Sequence, residues 1–199
     1  MKTLKKYLLK ATVLPLLLIV LFTLKSCNGK LQASAEEVKS TAESESQVDP
    51  PETDIFTAAL FGDLKTIQKH IAAGTDLNQK DGYGSTALII AATFGKTEVA
   101  EALVKGGADL NVTNNEGGTA LHSAAFLCRT EIVRILLDNG VDKNIKNNYG
   151  STARESVLAP FESVKPIYDQ FSKDLGPLGL KLNYDQLEKT RPVIADMLQ

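Results

Sequence analysis

The chain has 199 residues, 43% of them hydrophobic, 23% charged and 6% aromatic, with no Trp, two Cys and a formal net charge of −2. That length holds one domain of ordinary size. Nucleic-acid binding needs a surplus of cations to replace phosphate counterions, and neither the net charge nor any basic stripe supplies one.

Lys2, Lys5, Lys6 and Lys10 precede an uncharged run from Ala11 to Leu24. The run is shorter than the roughly 20 residues of a membrane span, and residues 1–26 have the shape of a signal peptide. Its removal leaves 17 basic against 24 acidic residues, so the exported part is acidic. Leu24-Lys25-Ser26-Cys27 resembles the box of a bacterial lipoprotein, with Lys25 where a small residue is usual. The resemblance implies lipidation of Cys27, and Asn28 after it leans towards the outer membrane. Ala33-Ser34-Ala35 before Glu36 competes as a site of ordinary secretion, and an uncleaved run kept as a short anchor is a third alternative. A lipidated Cys27 leaves Cys128 alone, so no disulfide framework supports the fold.

Residues 27–53 form an acidic tether. From Glu36 to Asp54 there are seven acids, Glu36, Glu37, Glu43, Glu45, Asp49, Glu52 and Asp54, against one Lys39. With almost no large apolar side chain to bury, this stretch cannot offset its ordering entropy, and it reads as a disordered spacer.

A fixed period of 33 residues then takes over. It is carried by Gly74, Gly107 and Gly140; Asp76, Asp109 and Asp142; Asn78, Asn111 and Asn144; Gly84, Gly117 and Gly150; and Thr86, Thr119 and Thr152. Asp81–Thr113 and Asn114–Lys146 are identical at 12 of 33 positions, where chance gives two or three. Thr86 and Thr119 are placed to cap a first short helix. Thr97, Thr130 and Ser163 could cap a second, with Glu98 and Glu131 just inside. Ala91-Ala92 and Ala124-Ala125 are small enough for paired helices to approach closely, and Gly74, Gly107 and Gly140 supply left-handed helix stops. Asp-x-Asn after each stop and Gly before each Thr read as a turn-rich hairpin.

The pattern resembles the ankyrin repeat. The family's T-P-L-H-x-A motif stands here as Thr119-Ala120-Leu121-His122-Ser123-Ala124 and Thr86-Ala87-Leu88-Ile89-Ile90-Ala91. Glu131 to Asp142 looks like its second helix and Gly-containing end. The resemblance implies an all-α solenoid of about four helix-turn-helix repeats joined by short β-hairpin loops, over residues 54–173. A helical C-terminal cap is expected over 174–199, since an open solenoid end would expose apolar surface.

The first repeat, with Ile55, Phe56, Ala58 and Ala59 on one helix and Ile67 and Ile71 on the next, lacks the hairpin and Thr motif and reads as an N-terminal cap. In repeat four, Pro166 falls three residues after Ser163, in what would be the first turn of its second helix, where a missing N–H costs little. Ile167, Tyr168 and Phe171 would pack. A short helix is expected around Pro192 to Leu198.

Catalysis finds little material. His70 reads as a packed residue beside the cap. The resemblance gives His122 a hydrogen-bonding role between repeats. Cys128 has no His partner in sequence and reads as a small core residue. Neither His has a Cys or a second His at ligand spacing, so no metal and no cofactor is expected. The Asp-x-Asn pairs lack the terminal Glu of a calcium loop and suit turns better.

The resemblance places partner binding on hairpin tips and on the exposed side of the first helices. The matching positions are Phe61, Tyr83, Thr93, Phe94, Glu116, Phe126, Leu127 and Tyr149. Steps of 33 set Phe61, Phe94 and Leu127 in one row and Leu60, Thr93 and Phe126 in the next. This apolar ladder is either a partner site or is covered by the chain's own C-terminal segment or second helices. The expectation is a non-catalytic protein-binding module, held by a lipid anchor at Cys27 in the periplasm of a Gram-negative bacterium. The alternative is a structural, self-associating envelope protein; the oligomeric state stays open.

Overall fold

The computed structural model describes residues 51–199. The expected signal peptide, both cleavage sites, Cys27 and nearly all of the acidic tether lie outside the described residues. Helix pairs follow one another: α1 (Ile55–Phe61) with α2 (Leu64–Ala72), α3 (Ala87–Phe94) with α4 (Thr97–Lys105), α5 (Ala120–Phe126) with α6 (Thr130–Asp138), and α7 (Glu155–Leu158) with α8 (Phe161–Leu175). A 3-10 turn over Gly176–Leu178 and α9 (Tyr184–Met197) complete the chain.

First helices α1, α3, α5 and α7 stack in one row, and α2, α4 and α6 in a second. The rows come close because Ala91, Ala92, Ala124 and Ala125 are fully buried between them. Leu103 and Leu136 fill the same place in successive second helices, both at 0% exposure, and His70, also buried, holds that place in α2. A helix pair alone leaves its apolar face in water, so burial depends on the neighbouring repeat.

Local chemistry sets the helix starts. Thr86 Oγ1 accepts from the Ile89 N–H at 3.3 Å, and Thr119 forms a reciprocal capping box with His122. In the first repeat Asp54 stands in for threonine, accepting from the Phe56 and Thr57 N–H groups. The second helices differ from expectation. Thr97 and Thr130 are their first helical residues, and the cap positions Lys96 and Arg129 make no side-chain cap bond. Lysine and arginine have no acceptor to offer an N–H. Only α2 is capped, by Asp63 accepting from the Thr66 N–H.

The expected β-hairpins are absent: no strand occurs among the described residues. Each tip is instead a closed turn, in which the Asp81 N–H donates to the Ser85 carbonyl at 3.0 Å and the Gly84 N–H to the Asp81 carbonyl at 2.9 Å. Asn114 with Gly118 and Asn147 with Ser151 repeat the closure. The physical reason lies in the side chains. Asp81 Oδ1 takes the N–H groups of Tyr83 and Ser85, both at 2.8 Å, so donors that could build a ladder are already used. Neighbouring tips are joined laterally by main-chain bonds, Asn115 N–H to Tyr83 carbonyl and Asn148 N–H to Glu116 carbonyl, and by the same asparagines' side-chain amides donating to the Gly82 and Asn115 carbonyls. This closeness explains Gly84 and Gly117. Both have φ of 73°, and a Cβ would lie 2.8 Å and 2.9 Å from the backbone nitrogens of Asn115 and Asn148.

The Asp-x-Asn loops connect repeats as well. Asp76, Asp109 and Asp142 each accept the N–H two residues on. Asn78 Oδ1 then accepts from the Asp109 N–H at 2.8 Å, and Asn111 Oδ1 from the Asp142 N–H at 2.9 Å.

The C-terminal region departs furthest from the sequence reading. α8 begins at Phe161, two residues before Ser163, which puts Pro166 beyond the first turn. The α9 helix starts at Tyr184 and contains Pro192, where a short helix beginning near Pro192 was expected. It packs against α7 and reaches α5 and α6, the neighbours that a second helix of the fourth repeat would have. α8 lies elsewhere: Val164 and Tyr168 are buried with Leu127 and Leu187 in a small cluster separate from the main core, while Ile167 on its other side is 46% exposed.

Candidate functional site

The ladder positions close the first helices. Phe61 ends α1, Phe94 ends α3, and Leu127 follows α5. Their exposures diverge sharply. Phe61 is 68% exposed, Phe94 is half-buried and Leu127 is 2% exposed. In the adjacent row Leu60, Thr93 and Phe126 are all half-buried. The chain's own C-terminal segment therefore covers the third rung. Tyr168 stacks on Phe126 with ring centroids 4.5 Å apart, and Phe171 meets the same ring edge-on at 5.8 Å.

The tip residues lie open. Tyr83 is 80% and Tyr149 78% exposed, with Glu116 exposed at the same position of the repeat between them. Their N–H groups donate to Asp81, Asn147 and Asn114 respectively, so the backbone under each projecting side chain is fixed. Thr93 spends its hydroxyl inside its own helix, donating to the Ile89 carbonyl at 2.9 Å. The structure thus brings Phe61 and Phe94 onto one surface, raises Tyr83, Glu116 and Tyr149 at the tips, and places Leu127 under α8 and α9.

A clamp that the sequence reading did not identify holds that cover in place. Arg191 on α9 is 3% exposed and donates to the Tyr168 hydroxyl at 2.8 Å, the Ala159 carbonyl at 2.9 Å and the Ser156 carbonyl at 3.3 Å. Two of these acceptors are carbonyls at the end of α7 left over by its short helix. The guanidinium also lies 6.0 Å from the ring centroids of both Phe126 and Tyr168. Burial pushes the Tyr168 phenol up to about 12, so it stays protonated and can donate to Phe126 while accepting from Arg191.

The groups with reactive side chains are occupied by structure. His122 Nδ1 accepts from the Thr119 N–H at 3.2 Å, which leaves Nε2 to donate to the Ser151 carbonyl at 3.1 Å and join repeats three and four. Burial lowers its pKa below the ordinary 6.5 and favours the neutral ring. His70 bridges Thr75 and the Thr53 carbonyl.

Cys128 has φ of 54°, the one non-glycine residue at positive φ among those described. Gly62 and Gly95 occupy the same position of the earlier repeats, a 33-residue series the sequence contains and the sequence reading passed over. Burial pushes the Cys128 thiol up to about 11. Its sulfur faces the Leu187 carbonyl at 3.6 Å.

Among the described residues no group of three or more His, Cys, Asp or Glu could hold a metal ion. No helix among them is long and apolar enough to cross a membrane. No curated protein matches the chain. The family model of ankyrin repeats matches residues 55–147 in three copies, the span of α1 to the loop after α6. Those residues form an ankyrin-repeat domain, a non-catalytic scaffold of the kind that mediates protein–protein interaction.

Proposed function

We propose that the chain is an exported bacterial protein, anchored through a lipidated Cys27, which captures a protein partner in the periplasm with the face formed by Phe61, Phe94 and the tips Tyr83, Glu116 and Tyr149. The observation that carries this reading is the exposure of large aromatic side chains on a hydrogen-bonded scaffold: 68% for Phe61, 80% for Tyr83 and 78% for Tyr149. Aromatic anchors on rigid backbone contribute most of the binding energy in protein interfaces, because little ordering entropy is lost when they are covered. The acidic tether of residues 27–53 would hold this face away from an anionic bilayer.

Crosslinking capture from envelope extracts tests the binding face. The native chain is compared with a Phe61→Asp/Phe94→Asp variant shown by circular dichroism to remain folded. A protein captured by the native chain and lost from the variant supports the face; an unchanged set of captured proteins contradicts it. Metabolic labelling with palmitate tests the anchor, and incorporation abolished by Cys27→Ser is the expected result. A mature chain beginning at Glu36 would contradict lipidation.

A further inference from the structure

The three rungs of the ladder are equivalent positions of successive repeats, yet only one has an occupant among the described residues. Leu60 with Phe61, Thr93 with Phe94, and Phe126 with Leu127 stand 33 residues apart. The third pair is covered by a helix. α8 presents Phe161, Val164, Tyr168 and Phe171 along one face, at the three- and four-residue steps of an amphipathic seam. Tyr168 and Phe171 take the Phe126 ring, and Leu127 falls to 2% exposure. The other two pairs keep Phe61 open and Phe94 half open.

The flanks of the rungs also correspond. The Lys96 stem lies over Gly62, the Arg129 guanidinium lies over Gly95 and donates to the Thr93 carbonyl, and Arg191 lies beside Phe126. Each rung therefore has a cation at its side. None of the three pairs with a carboxylate among the described residues, whose one salt bridge joins Lys105 and Glu101.

We propose that the rungs of Leu60, Phe61, Thr93 and Phe94 seat an amphipathic helix of the partner, with an apolar, aromatic-bearing seam edged by carboxylates, continuing the interface that α8 makes on the third rung. This rests on the face being the partner site and specifies the class of partner. Helix-in-groove recognition asks for apolar anchors at three- and four-residue steps, and α8 meets this with Phe161, Val164, Tyr168 and Phe171 at i, i+3, i+7 and i+10. The chain thus carries its own example of the ligand. Glu162 and Asp169 flank that seam in solvent, Asp169 accepting from the Tyr184 hydroxyl at 2.9 Å, whereas the carboxylates proposed for the partner would meet Lys96 and Arg129.

A labelled synthetic peptide of residues 161–175 is the probe, titrated against the full-length chain by fluorescence anisotropy. Saturable binding is expected, weakened at least about tenfold by Phe94→Asp and by Phe61→Asp, and absent for a scrambled peptide of the same composition. No saturable binding overturns the proposal. So does binding that neither substitution weakens, since the peptide would then be exchanging with α8 on the third rung. Capture from envelope extracts separates the two levels: loss of a captured protein from the folded Phe61→Asp/Phe94→Asp variant, with no peptide binding, removes the helix class and keeps the face. Capture unchanged by that variant removes both.

Discussion

The Tyr168 hydroxyl donates to the main-chain carbonyl of Phe126 at 2.6 Å, joining α8 to the end of α5 across 42 positions of sequence. The same oxygen accepts from Arg191, so one buried phenol connects three helices. Tyr168→Phe removes the donor and the acceptor together and should cost about 1–3 kcal/mol, because both partners are left buried without it. Arg191→Ala should cost at least as much. The two losses should add to less than their sum in a double variant, since they break one network. Urea unfolding of the two single variants and the double variant checks this.

Exposure of the ladder separates its rungs energetically. Phe61→Asp should change stability by less than about 1 kcal/mol, as expected of a surface position, whereas Leu127→Asp buries an unpaired carboxylate and should cost more than about 3 kcal/mol. Thermal unfolding of the two variants decides it. A steep loss with Phe61→Asp would mean that the ring is covered in solution.

The Cys128 thiol should resist modification. With its pKa raised from 9.0 to about 11, its thiolate fraction at pH 8 is lower by roughly a hundredfold, and labelling should be slowed to that extent until the chain unfolds. Disulfide-exchange kinetics with and without urea measure the ratio.

At the equivalent site of the second repeat, Gly95→Ala should destabilise by more than about 1 kcal/mol. The new Cβ would stand in a left-handed conformation and 3.0 Å from Arg129 Nε. Cys128→Gly removes the corresponding strain and should fall within about 1 kcal/mol of neutral, once lost packing is set against it. Chemical unfolding midpoints of the two variants compare the costs.

Stability should fall as the solution is acidified below pH 6.5. His122 has a lower pKa in the folded chain than its ordinary 6.5, so the unfolded chain takes the proton first. Its contribution is present above 6.5 and is lost as pH falls through the folded value. Asp54 and Asp63 act further down. Their pKa values are lowered from 3.8, chiefly by the hydroxyls of Thr57 and Thr66. Unfolding midpoints measured from pH 7.5 to 5 should therefore decline in the native chain and flatten in His122→Gln.

The repeat was legible because its signals are local. A threonine that caps a helix, a glycine that ends one and an aspartate that accepts the N–H two residues on each act within a few residues, and identical local problems return every 33 positions. The absence of strands was less accessible, since it depends on Asp81 and its equivalents using donors that the turn residues would otherwise have offered to a ladder. The placement of α8 and α9 was hidden for a different reason. It rests on contacts between Tyr168 and Phe126, and between Arg191 and the end of α7, that lie 32 to 42 positions apart and obey no period. Pro192 was read as a helix start, while the helix runs through it from Tyr184. For the candidate site, periodicity aligned the ladder but could not reveal that the third rung is covered.

The bonds from Asn78 to Asp109 and from Asn111 to Asp142 have a consequence for how such a chain can grow. Each asparagine meets a main-chain N–H, a group that every non-proline residue has, so a unit inserted whole would find its counterpart without further adjustment. Duplication of a 33-residue block between Asp81 and Lys146 would keep these links in phase and add one more rung and one more tip. The same insertion after Ser151 would have to part α9 from α5 and α6, and α8 from the end of α5. The interior of the array is free to lengthen, and its far end is sealed.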